Sequence, residues 1–123
     1  MSKPIPVSQA NAMIKTYDTY MSTLGVDMKD QTQSVSFTLT ELMAWLNKMT
    51  PIADEIRIFM GDYPAGDPNA GRTSLVLWPY KNGKPARTTD PSLATEPGEE
   101  QDPGDPGDPG DPADPFNDGR LNP

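Results

Sequence analysis

The side chains able to do chemistry in this chain are almost all carboxylates. The sequence contains no cysteine and no histidine. That removes thiolate nucleophiles, imidazole general bases and the ligands that zinc, copper and haem sites normally need. What remains are Glu41, Asp54, Glu55 and Asp62 as candidate acids, with two short acidic loops around Asp27 and Asp30 and around Asp67 and Asn69. Carboxylates brought together would serve acid–base catalysis or hold a hard cation. Each of these has a simpler structural role. Glu41 follows Thr38 at the spacing of a helix capping box, where the hydroxyl accepts from one orphan amide and the carboxylate reaches back to another. Asp54 and Glu55 flank a strand, Asp62 opens a loop, and Asp27 and Asp30 beside Lys29 have the composition of an ordinary turn. Asp67, Asn69 and Gly71 resemble the start of a calcium loop, but Trp78 stands where that loop needs its bidentate glutamate. No P-loop, dinucleotide glycine fingerprint or nucleophile elbow occurs. The expectation is a non-enzyme without catalytic, metal or cofactor-binding residues.

The elements that carry these residues are legible from periodicity. After Pro4 and Pro6, Ser8 is the expected cap of a first helix, in which Met13, Tyr17, Met21 and Leu24 recur at helical spacing with Ala10, Ile14 and Tyr20 beside them, up to Gly25. Such a stripe is read as core. Ser34 to Leu39 alternates as a half-buried strand. Leu42, Trp45, Leu46 and Met49 then give a second helix one apolar face, and Thr50 and Pro51 end it. Glu55 to Met60 alternates again. Gly61 to Arg72 is a Gly- and Pro-rich loop, Thr73 to Tyr80 is a nearly continuous apolar strand, and Asn82-Gly83 signals a type I′ turn into a short edge strand. The expected fold class is α+β: two helices on a small antiparallel sheet of three to four strands, in the order α-β-α-β-β, with an extended C-terminal tail.

Charge divides the chain unevenly. The net charge is -8, yet residues 1–88 hold nine Lys/Arg against eight Asp/Glu, and the rest hold one Arg against ten acids. Residues 1–88 are therefore read as a nearly neutral head. Residues 89–115 are an acidic spacer in which Asp-Pro-Gly repeats from Asp102 to Pro112, too few triplets for a collagen helix and too polar for a core. Residues 116–123 bring back Phe116, Arg120 and Leu121 and are read as a docking peptide on a tether. Lys81, Lys84 and Arg87 form the one basic corner. It serves either to guard a sheet edge or to receive something acidic, the chain's own tail being the nearest such object. Trp78 adds aromatic contact surface. A partner-binding set of Phe116, Arg120, Leu121, Lys81, Lys84, Arg87 and Trp78 follows.

The run Ser34 to Leu46, then Asp54 to Gly61, then an apolar strand and Asn82-Gly83, resembles a group of small bacterial proteins with the same helix, strand, helix, hairpin order. The likeness covers residues 8 to 86. Because that group has no assigned activity, it implies the architecture and supplies no site residues. The leading functional expectation is a non-enzymatic interaction or self-assembly protein, with another protein or itself as partner. The alternative is an acidic inhibitor or immunity-type protein that covers a basic site. Nucleic acid is not expected as a partner, since the chain is negative overall and lacks a basic stripe. With no signal peptide and no apolar run of spanning length, a cytoplasmic location is expected by default, leaderless export staying open.

Overall fold

The computed structural model describes residues 2–95, 110–117 and 119–122. They form an α+β fold of two helices and antiparallel strands. Helix α1 (Val7–Thr23) begins directly after Pro6, whose carbonyl accepts from the Ala10 N–H; Ser8 lies inside the helix and does not cap it. It ends in a Schellman motif: Gly25 N–H donates to the Ser22 carbonyl and Val26 N–H to the Met21 carbonyl. No residue of α1 is buried. The stripe expected to be core is on the surface instead, a difference taken up below.

Helix α2 (Leu39–Met49) is capped by Thr38, whose Oγ1 accepts from Glu41 N–H at 3.2 Å, the hydroxyl half of the expected capping box. Trp45 and Leu46 are half-buried, Met49 is buried, and Thr50 closes the last turn onto Leu46. The main sheet has the order β2-β3-β4, with β2 at Glu55–Asp62, β3 at Thr73–Lys81 and β4 at Lys84–Pro85. Asn82 at φ 52° and Gly83 at φ 79° make the tight turn between β3 and β4, the pair of left-handed residues that an I′ hairpin requires. Register places Ile58 opposite Leu77 and Arg57 opposite Trp78. One face of the sheet thus carries Ile56, Ile58 and Met60 with Leu75, Leu77 and Pro79, and the other carries Arg57 and Phe59 with Val76, Trp78 and Tyr80.

The described C-terminal residues return to the head. Strand β5 (Arg87–Thr88) pairs with β6 (Asp111–Pro112), Phe116 bridges to Leu77, and β7 (Arg120–Asn122) pairs antiparallel with β1 (Ser34–Ser36). The core at this junction is small: Met49, Leu77, Pro79, Ala86 and Ala113, the two alanines being 0 % and 1 % exposed. Ala113 N–H donates to the Ala86 carbonyl at 2.9 Å, so core residues of the head are covered by a residue beyond its expected end at Thr88. Of the stretch 89–115, residues 89–95 and 110–115 lie in this described part; most of the Asp-Pro-Gly repeat falls outside the described residues. No helix among the described residues is long and apolar enough to cross a membrane.

Candidate interaction surface

Asp54, Asp62 and Glu55 are each engaged by a neighbouring group, and Glu41 sits at a helix start. Asp54 Oδ2 accepts from the Asn82 N–H at 3.2 Å, Asp62 Oδ1 accepts from Thr73 Oγ1 at 3.2 Å, and Glu41 lies in the first turn of α2. Glu55 pairs with Arg57 at 2.7 Å, both side chains nearly half exposed, an ion pair worth about 0–1 kcal/mol. Asp27 and Asp67 accept from the amides of Lys29 and Asn69, closing their own turns. Among the described residues no three carboxylates gather as a metal ion would need.

The residues expected to bind a partner divide into three groups. Phe116 and Leu121 dock on the same chain. The Phe116 ring sits 5.1 Å from Phe37 and 5.1 Å from Trp45, while its backbone exchanges two 2.8 Å hydrogen bonds with Leu77. Leu121 is opposite Val35 in the β1–β7 pair, and the Arg120 backbone is opposite Ser36. Both side chains thus lie against the head of their own chain. The basic corner is the second group. Lys81 and Lys84 face one another across the hairpin, and Arg87 Nε donates to the Gly110 carbonyl at 2.8 Å. The tail thus meets Arg87 through the Gly110 carbonyl. Trp78 belongs to the third group, the outer sheet face, where Phe59 meets it edge-on at 5.8 Å and Arg57 lies 4.2 Å over Tyr80.

Two surfaces remain apolar and uncovered among the described residues. The first is α1. Val7, Ala10, Ile14, Tyr17, Met21 and Leu24 follow one another in alternating steps of three and four, the repeat of a helix-pairing seam. Ile14 is 59 % exposed and Leu24 61 %, with Met13 and Tyr20 equally exposed alongside. The second is β2, where Ile58 and Met60 are 60 % and 77 % exposed. Periodicity found both segments and wrongly assigned the first to the core, because an apolar stripe states that something covers it and not which chain does.

A different kind of contact closes the tail. Leu93 accepts from the Asp114 N–H, and the Asp114 carboxylate accepts from the Thr95 N–H and hydroxyl. The fourteen residues 96–109 therefore join two points that the fold itself holds together. Comparison with family models, with curated proteins and with solved structures finds no match to this chain. The likeness of element order noted from the sequence accordingly carries no argument about activity.

Proposed function

We propose that this chain is a non-enzymatic interaction or self-assembly protein, and that α1 is the element through which it engages an amphipathic helix. The observation that carries this reading is a seventeen-residue helix with an apolar 3-4 seam and no buried residue. Helices in proteins take most of their stability from packing such a face, and α1 contains β-branched and aromatic residues that favour helix only weakly. A face of this kind lowers its free energy by pairing, and the 3-4 spacing suits a helix better than a flat surface. The acidic segment of the tail then acts as a solvating, like-charged surface that keeps such a chain dispersed.

Ile14→Glu combined with Tyr17→Glu tests this. Since neither residue is buried, the fold's unfolding free energy should change by less than about 1 kcal/mol. Association, measured as self-association or as binding to a helical partner, should weaken at least about tenfold. Unchanged association, or a chain that binds neither itself nor any helix, would refute the proposal.

A further inference from the structure

We propose that the free edge of β2 pairs with β2 of a second copy, making a two-fold dimer with one continuous six-stranded sheet. The inference rests on the assembly reading above and names a second, separate surface for it.

The two edges of the main sheet differ in kind. At β4 the edge carries Lys84 and Pro85, the residues that discourage strand addition. At β2 the edge is eight residues long, without Lys or Pro, and no strand other than β3 pairs with it among the described residues. Its backbone phase is fixed from the far side. Leu77 spends both its N–H and its carbonyl on Phe116, and the Pro79 carbonyl accepts from Ala86, so both residues point away from β2. Their opposites, Ile58 and Ile56, are therefore non-hydrogen-bonded pairs, and the N–H and carbonyl groups of Ile56, Ile58 and Met60 point outward. These groups have no other protein partner among the described residues.

β2 is complementary to itself about a two-fold axis through Ile58. In that register Ile58 faces Ile58 of the second copy, and Ile56 faces Met60 on the apolar face. Arg57 faces Phe59 on the other, extending the cation–aromatic stacking that Arg57 already makes with Tyr80. Three outward residues on each strand exchange six backbone hydrogen bonds in the pattern their phase requires. No like charges meet from Glu55 to Gly61. The register that would instead centre on Arg57 sets two guanidiniums opposite each other and is disfavoured. Just beyond the paired residues Asp62 meets Asp54, and each carboxylate is already turned to its own chain, to Thr73 and to Asn82.

Because the chain has no cysteine, cross-linking reads the register directly. Ile58→Cys should oxidise to a covalent dimer of the full chain, since hydrogen-bonded antiparallel partners lie about 5.5 Å apart at Cα, within disulfide reach. Arg57→Cys and Phe59→Cys should cross-link efficiently only when mixed. Ile58→Lys, at an exposed position, should leave thermal unfolding of the monomer unchanged and weaken dimerisation at least about tenfold by light scattering. A monomeric wild-type chain, or a dimer that persists in Ile58→Lys and fails to cross-link at position 58, overturns the β2 pairing. If association persists in Ile58→Lys and disappears in the α1 double variant, only the β2 inference falls. Association indifferent to both removes the α1 reading as well.

Discussion

Truncating Phe116 to alanine measures how much of the head's stability comes from the returning C-terminal segment. The ring is half-buried between Phe37 and Trp45, with centroid distances of 5.1 Å to both. A fully buried Phe→Ala change costs about 3–5 kcal/mol, so half burial contributes about 2 kcal/mol. Loss of two aromatic pairs adds about 0.5–1.5 kcal/mol each, part of which is already contained in the burial figure. The expected destabilisation is about 2–4 kcal/mol. The two backbone bonds to Leu77 do not depend on the side chain and remain available, which sets the upper end. At about 4–8 °C per kcal/mol for a small domain, Phe116→Ala should lower Tm by about 8–30 °C. Urea unfolding followed by tryptophan fluorescence is the suitable assay, since Trp45 touches the ring. Phe116→Leu should recover most of the loss. The double variant with Phe37→Ala should cost less than the sum of the singles, because the two rings share one contact. A Phe116→Ala protein that unfolds within about 0.5 kcal/mol of the parent would mean that residues 110–122 do not rest on the head, and the core described above would be wrong.

Two further outcomes follow from the tail's anchorage. Deleting residues 101–108 shortens the connection between Thr95 and Gly110 from fourteen residues to six and removes three aspartates; loop-closure entropy then favours the fold by about 0.7 kcal/mol. Thermal unfolding should be unchanged or slightly raised, and a large loss would show that the repeat takes part in the core. Asp90 Oδ1 accepts from the hydroxyl and the amide of Ser92, which hold its carboxyl below the usual range, with Lys48 a smaller contribution in the same direction. A folded-state value below the unfolded one favours the fold above the ordinary carboxylate pKa of about 4, and that contribution fades as pH falls through the lowered value. Ser92→Ala should move the Asp90 titration upward when followed by carboxyl NMR; an unmoved titration would refute the assignment.

Local chemistry was the part of this fold most legible in the sequence. The Thr38–Glu41 cap, the Asn82-Gly83 turn and the alternation of β2 and β3 all depend on residues close in the chain, and each stands where its pattern puts it. The tail's contribution was not legible, since Ala86 and Ala113 are too small to produce a periodic signal. Strands of two or three residues such as β6 and β7 likewise fall below the length at which alternation can be recognised. Gly110 illustrates the point. Its φ of 104° and its approach to the Thr88 carbonyl leave no room for a Cβ, yet within a run of Asp-Pro-Gly it reads as one more spacer glycine. Phe116 and Leu121 stood out as anchors because they interrupt a polar stretch, but nothing local identifies their neighbours as Leu77 and Val35, 39 and 86 residues earlier.

That long-range closure changes what truncation can report. A chain cut after Thr88 loses the strand that covers Ala86, the ring that fills the space between Phe37 and Trp45, and the partner of β1. Leu77 would keep its neighbours in β2 and lose both hydrogen bonds on its other side, leaving a central strand with a new open edge. Such a fragment would be less stable and more prone to associate, so a change in its mass would reflect the exposed edge of β3 instead of a tether's affinity for a partner. The informative perturbations are therefore those that leave 110–122 seated: substitutions on α1 and on the outer edge of β2, where side chains are exposed and the backbone groups at issue face solvent. The core is closed by the tail and the apolar surplus lies elsewhere. Self-association should accordingly be additive in the α1 and β2 variants, and shortening the acidic repeat should strengthen it at low ionic strength, where like-charge repulsion is least screened.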